Sequence, residues 1–197
     1  MAALKLILAS ASPRRRHLLA EAGVAFDVDP ADVDETAYDP ALPPVGVGEF
    51  LARAKAAVVA ARHPVALVLA ADTVVAVGDE LLGKAETPEE ARRILGKLSG
   101  RRHQVVTGYA LALPGPAEGR PTLAGACTSW VVMRALSPTE LEEYVASGLW
   151  RGKAGAYGIQ DRDPFVTAVE GSWSNIVGLP METVLPLLQA HGITAER

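Results

Sequence analysis

The sequence is short of the residue types on which several chemistries depend. Its 197 residues include one cysteine, Cys127. No disulfide can form within the chain and no cysteine-based zinc site can be assembled. A reducing, cytoplasmic location is therefore expected. The four histidines, His17, His63, His103 and His191, are scattered and form no H-E-x-x-H pair, so a zincin-like site is not expected. No apolar run is long enough to span a bilayer. The apolar run near the N-terminus is short and precedes its arginines, the wrong order for a secretory signal. There is no basic excess either: 23 acidic against 19 basic residues leave a net charge of −4. That balance does not suit a protein that coats nucleic acid or an anionic membrane. No G-x-G-x-x-G follows an apolar strand. The segment Gly152–Gln160 carries Lys153 but lacks the Ser/Thr and the glycine spacing of a Walker A loop, which excludes a P-loop NTPase. Internal repeats and low-complexity segments are absent.

What is present is ordinary globular composition, 49% hydrophobic and 21% charged. The length fits one large domain or two small lobes. The most informative stretch is Leu4–Leu19. Leu6, Ile7 and Leu8 predict a buried strand. Ser12-Pro13 suits an N-cap followed by the first helical position, because the serine hydroxyl takes a free N–H and proline has none to leave orphaned. Gly23 stops the helix. Arg14, Arg15 and Arg16 thus crowd the first turn of a helix, where cations are disfavoured and anions are bound. The two readings are a polyphosphate clamp and a solvated arginine patch; the first is preferred.

Further along, Ala25–Val28 predicts a short strand. The loop Asp29–Asp39 holds Asp32, Asp34 and Glu35, and prolines 40, 43 and 44 are expected to keep it irregular. Residues 47–62 read as a helix with Val47, Leu51, Ala54 and Val58 on one face and Lys55 at its edge. Lys55 either snorkels or reaches into a site. Val65–Val77 is a nearly continuous apolar run, as in a strand covered on both faces. Asp72 and Thr73 interrupt it, and a carboxylate there is costly unless it meets a cation, a metal or a solvated cleft. Catalytic acids are found in such places. A turn at Gly78-Asp79 and a return strand over Glu80–Leu82 lead to Lys84, within reach of the same cleft. Thr87…Glu90 and Ser137…Glu140 read as capping boxes opening two helices. Strands are expected over His103–Leu113, Thr122–Met133 and Phe165–Glu170. Ser174–Pro180 reads as a turn, and a last helix over Met181–Ala190 should kink or break at Pro186.

Five separated motifs resemble the Maf family of nucleoside triphosphate pyrophosphatases, once named for inhibition of septum formation. They are Ser10-Ala11-Ser12-Pro13-Arg14-Arg15, Ala71-Asp72-Thr73-Val74-Val75, Gly83-Lys84, Lys153–Gln160 and Asn175–Pro180. Any one is weak; all five in the family's order and spacing are specific, and together they cover nearly the whole chain. The resemblance implies an α/β fold: an elongated mixed β-sheet flanked by helices, similar to inosine triphosphatases. Residues 1–197 would form one domain with two lobes around a cleft. It also implies that Asp72 is the proton acceptor and that Ser10, Arg15, Glu35, Lys55 and Lys84 line the substrate and metal site, with Asp72 and Glu35 as metal ligands. Arg14, Thr73 and Gln160 match the positions that set base preference, in the combination of the subfamily acting on dTTP and UTP. Arg16 is not a family requirement. A homodimer is a family expectation.

The chemistry so implied is metal-assisted attack of water on the α-phosphorus. Cations must screen the phosphate charge, so Arg15, Lys55, Lys84 and a divalent metal would act together. The hard oxygen ligands favour Mg²⁺ or Mn²⁺. For this, Asp72 must face the serine–arginine turn. A nucleotide-binding regulator of cell division with little catalysis would use the same clamp, but would have no need of a buried base. A purely structural module fits poorly with so many charged side chains converging on apolar elements.

Overall fold

The computed structural model describes residues 4–160 and 165–195. Seven strands and six helices follow one another as β1 (Leu6–Leu8), α1 (Pro13–Glu21), β2 (Asp27–Val28), α2 (Pro44–Arg62), β3 (Leu67–Val77), β4 (Glu80–Leu82), α3 (Pro88–Leu98), β5 (Arg102–Ala112), β6 (Thr122–Met133), α4 (Pro138–Ser147), β7 (Val166–Glu170), α5 (Trp173–Val177) and α6 (Met181–Ala190). The strands form one mixed sheet in the order β2-β1-β3-β5-β6-β7, with β4 also on β3. β1 is parallel to β2 and to β3, and the remaining pairs are antiparallel. The expected mixed α/β sheet flanked by helices is what forms.

β3 is the central strand. Along one edge β5 pairs with it continuously from Val68 to Ala76. Along the other edge β1 takes Leu67–Leu69 and β4 takes Val75–Val77. On that second edge, among the described residues, no strand lies beside residues 70–74, which leaves a gap. This is where the functional side chains gather.

The pleat sorts the core into layers. Val68 and Ala70 face α2, packing with Ala52, Ala56 and Val59. Leu67, Leu69 and Ala71 face the other way, against Leu19 of α1 and Val184 and Leu188 of α6. Val75 leaves on that second face too, but joins a separate cluster built on Ile94, Leu95 and Leu98 of α3 and Tyr144 and Val145 of α4. Between the two clusters the same face carries polar residues: Thr73 on β3, Thr107 on β5 and Ser129 on β6, capped by Asn175 of α5.

Several local expectations need correction. α2 begins at Pro44, three residues before the expected start at residue 47, because proline at the first helical position forfeits no hydrogen bond. Its buried face is Val47, Gly48, Leu51, Ala52, Lys55, Ala56, Val59 and Ala60. Val58 is exposed, and Lys55 is central to the buried face rather than at its edge. The helix is so rich in small residues that hydrophobic periodicity does not orient it. Backbone contact does: a Cβ built on Gly108 of β5 would fall 2.0 Å from the Gly48 carbonyl oxygen. The Thr87 box is half formed. Thr87 accepts from the Glu90 N–H, but the Glu90 carboxylate turns to the Glu86 N–H. The Ser137 box is complete. The short helix α5 takes up the first part of the expected Ser174–Pro180 turn, starting one residue earlier at Trp173, and α6 runs through Pro186 without ending there.

Candidate active site

The gap beside β3 opens into a cavity of about 350 Å³. The turn from β1 into α1 forms one wall, and every residue from Ala9 to Arg15 lines it. Ser12 caps α1, accepting from the Arg15 N–H at 3.5 Å. The Ser10 hydroxyl accepts from the Ser12 N–H at 3.3 Å and from Arg15 Nη1 at 3.0 Å. Its own proton remains to be donated into the cavity.

The three arginines separate. Arg16 is exposed and does not line the cavity. Arg14 lies at the rim, where Nη2 donates to the Gly152 carbonyl at 3.2 Å. Arg15 is buried. Its Nε donates to the Gly178 carbonyl at 2.7 Å, Nη1 to Ser10 and Nη2 to Thr73 Oγ1 at 3.1 Å. All three acceptors are neutral, and no carboxylate bonds to it among the described residues. Burial lowers its pKa, partly opposed by the charge of Asp72. A buried guanidinium held by neutral oxygens, with N–H groups left over, is a site for an anion.

On the α2 side the charges are paired in series. Lys55 Nζ donates to Asp72 Oδ1 at 2.5 Å and to Glu35 Oε1 at 2.6 Å. Lys84 Nζ donates to Glu35 Oε2 at 2.7 Å. Burial works to raise the Glu35 pKa, but the two lysines outweigh it and hold the carboxyl down at about 2. Asp72 is only 5% exposed. Its Oδ2 receives no hydrogen bond among the described residues. Among the described residues the cavity wall carries Arg14, Arg15, Lys55, Lys84 and Lys153 against two carboxylates, Glu35 and Asp72. Cationic groups gathered in this way within a mildly acidic protein suit a polyanion.

Asp72 does not leave the sheet on the face that carries Arg15. Asp72 bonds to α2, and Thr73, its neighbour, bonds to Arg15. Asp72 thus meets the serine–arginine turn across the cavity rather than from the face that carries the Arg15 guanidinium. Both still border one cavity, because the missing strand beside residues 70–74 joins the two faces.

Every expected site residue lines this cavity: Ser10, Arg14, Arg15, Glu35, Lys55, Asp72, Thr73, Lys84 and Gln160. Gln160 is exposed at the mouth. The loop before it is tied down by an isolated bridge between Lys84 and Ala154 and by Gly155 N–H donating to the Gly83 carbonyl at 3.1 Å. Tyr157 also lines the cavity, and its hydroxyl lies 2.6 Å from Nε2 of the buried His103. Burial brings the His103 pKa down to about 4. His103, Thr107 and Asn175 were not singled out as site residues in the sequence. Their hydrogen bonds to Tyr157, Thr73 and one another connect them to the cavity.

No group of three or more His, Cys, Asp or Glu side chains that could hold a metal occurs among the described residues. Glu35 and Asp72 nonetheless fit a magnesium-type ion. Such ions bind through one or two carboxylates and complete their shell with phosphate oxygens and water, and Asp72 Oδ2 has no hydrogen bond to give up.

A mixed α/β sheet, opened at a missing strand onto a cationic cavity with a buried carboxylate, defines a polyanion-binding protein equipped for hydrolysis. The Maf-like protein family model matches residues 5–191, and the chain belongs to that family. It is 51% identical over 189 residues to a dTTP/UTP pyrophosphatase of Myxococcus xanthus, covering 95% of this chain and 93% of that protein. It is 50% identical to proteins of the same name from Rhodospirillum rubrum, over 95% of this chain and 88% of that one, and from Caulobacter vibrioides, over 95% of each. Among solved structures it is similar to a nucleoside-triphosphatase / dITP/XTP pyrophosphatase of Mycobacterium abscessus, with 14% identity, a TM-score of 0.45, and coverage of 96% of this chain and 94% of that one.

Proposed function

We propose that the protein hydrolyses dTTP and UTP to the monophosphate and pyrophosphate. The observation that carries this is Asp72, buried with one oxygen on Lys55 and the other without a hydrogen bond among the described residues, in a cavity also lined by Arg15, Lys84 and Glu35. The name of the relatives at about half identity over nearly full length supports the same substrates.

The triphosphate lies along the α1 turn, where the Ser10 hydroxyl donates to it and the positive end of the α1 dipole favours it. Arg15, Lys84 and Lys153 neutralise its oxygens so that a nucleophile can approach the α-phosphorus. Water then bonds to that phosphorus as the bond to the oxygen bridging the β-phosphorus breaks, and pyrophosphate leaves. The water proton passes to Asp72 Oδ2, which is acid–base catalysis by a positioned carboxylate. Lys55 orients Asp72 by holding Oδ1. A divalent cation, Mg²⁺ or Mn²⁺, held by Asp72 and Glu35, supplies additional positive charge at the phosphate oxygens when bound. Arg14, Thr73 and Gln160 discriminate the base, with Gln160 forming paired hydrogen bonds to the uracil or thymine edge. A site that pairs polar base edges penalises a base that leaves them unpaired.

The two apolar clusters on either side of the polar belt act as the two lobes of one domain, with the cleft between them. The single cysteine suits a cytoplasmic setting, and among the described residues no helix is long and apolar enough to cross a membrane. The test is pyrophosphate release from a panel of nucleoside triphosphates with Mg²⁺ or Mn²⁺. Release from dTTP and UTP ahead of the purine nucleotides is expected. Tight binding of dTTP without release would instead identify a nucleotide-binding regulator.

A further inference from the structure

The structure assigns Thr107 as a positioning residue that acts through Thr73 to aim Arg15 into the cavity. Thr107 sits on β5 directly opposite Thr73 in the β3–β5 register. It is fully buried and does not line the cavity. Its hydroxyl donates to the Asn175 carbonyl at 2.8 Å. That carbonyl belongs to the last turn of α5, where helix carbonyls have no partner within the helix. A hydroxyl has one proton, so in the 2.9 Å contact between the two threonine hydroxyls Thr73 must be the donor and Thr107 the acceptor. Thr73 Oγ1, its own proton spent, can only accept, and it accepts from Arg15 Nη2. The polarity of the whole run is thereby settled: Arg15 to Thr73 to Thr107 to the Asn175 carbonyl.

The consequence is geometric. The Arg15 guanidinium is planar, and its fork matches phosphate only when its orientation is held. Three points hold it: Gly178 at Nε, Ser10 at Nη1 and Thr73 at Nη2. Two of the three trace to the end of α5, because Gly178 follows that helix and the Thr73 hydroxyl is anchored to it through Thr107. Without the Thr107 hydroxyl, Thr73 loses its acceptor and its proton competes for the space that Arg15 occupies. No apolar residue can replace this. Threonine and valine have the same shape, but exchanging them removes the hydroxyl.

The inference rests on the proposed reaction for its kinetic arm only. Thr107→Val, Thr107→Ser and the wild type are compared in three ways. First, the Arg15 Nη–H resonances, assigned by their loss in Arg15→Lys, are followed for protection from solvent exchange without any ligand. Second, binding of inorganic pyrophosphate and of dTTP is measured by calorimetry. Third, kcat and KM for dTTP are determined. Thr107→Val is expected to lose Arg15 Nη–H protection, to bind both anions about tenfold more weakly, and to lower kcat/KM by a similar factor. Thr107→Ser, which keeps the hydroxyl, is expected to lie within about twofold of wild type, since the lost methyl contributes packing only. Wild-type protection of Arg15 retained in Thr107→Val would overturn the inference, as would Thr107→Ser being as impaired as Thr107→Val. If the wild type fails to hydrolyse dTTP while the first arm behaves as expected, the proposed reaction falls and the positioning role stands.

Discussion

Asp72 and Thr73 are consecutive residues of β3 that leave the sheet on opposite faces, yet they line one cavity. Strand geometry demands the first property. The gap between β1 and β4 produces the second. The site is therefore assembled through the plane of the sheet: the carboxylate and Lys55 stand on the α2 side, and the buried arginine on the α1 side. A triphosphate entering the gap can touch both.

The first prediction concerns Asp72. Asp72→Asn keeps the shape of the side chain but cannot take a proton. Turnover of dTTP should fall about 10²–10⁴-fold, the usual contribution of a general base, while dTTP binding persists. Pyrophosphate release and calorimetry on the same variant check this. Near-normal hydrolysis would remove Asp72 from the role.

Base preference depends on Gln160 in the second prediction. Gln160→Glu replaces a donor-and-acceptor amide by an acceptor-only carboxylate. Hydrolysis of dTTP and UTP should weaken relative to other nucleotides. An unchanged ranking across the nucleotide panel would show that Gln160 does not read the base.

Metal dependence is the third. Chelation should stop pyrophosphate release, and Mg²⁺ or Mn²⁺ should restore it. Glu35→Gln should raise the metal concentration needed for half-maximal rate, because one of the two carboxylates able to hold the ion is lost. Full activity in the presence of excess chelator would exclude a metal role.

Acid stability should fall in two stages. The His103 pKa is lowered by burial from 6.5 to about 4. Its contribution is complete above pH 6.5 and is lost as the pH falls towards 4, because in that window the unfolded chain binds a proton that the folded one refuses. Lysine-bound Glu35, lowered from 4.5 to about 2, loses its contribution below pH 4.5. Thermal unfolding against pH should show both windows, and His103→Gln should flatten the upper one. An unaltered slope between pH 6.5 and 4 in that variant would assign the upper stage to other groups.

Gly108→Ala should destabilise the protein by about 1–3 kcal/mol or more. The added methyl would meet the α2 backbone at Gly48, which cannot swing aside as a flexible side chain could. Pushing α2 outward would also withdraw Lys55 from Asp72. The melting temperature and the dTTP hydrolysis rate should drop together; an unchanged melting temperature would show that α2 is free to shift.

The chemistry that is local along the chain could be read before any coordinates. A strand, a serine cap, a proline and arginines in a row announce β1, α1 and an anion site, because each feature acts on neighbours within one turn. Asp72 announces itself by interrupting an apolar run. Lys84 is placed near the cleft by the hairpin that precedes it, whereas Glu35 in its loop needed the family resemblance, since a solvated loop acid looks the same in sequence. The alanine-rich α2 misled periodicity, which cannot orient a helix whose residues are nearly all small. Its rotation is decided by where two glycine backbones meet.

The amino-acid order thus pointed to side chains that line the cavity, since side-chain type and nearest-neighbour propensities are properties of short segments. Folding in three dimensions decided how they are used. Arg15 is buried and Arg16 is not, Asp72 and Thr73 are separated by the sheet, and Thr107 is joined to a site 34 residues away in the chain. Each of these depends on strand register and on a missing neighbour beside β3, long-range pairings that no short segment of sequence encodes.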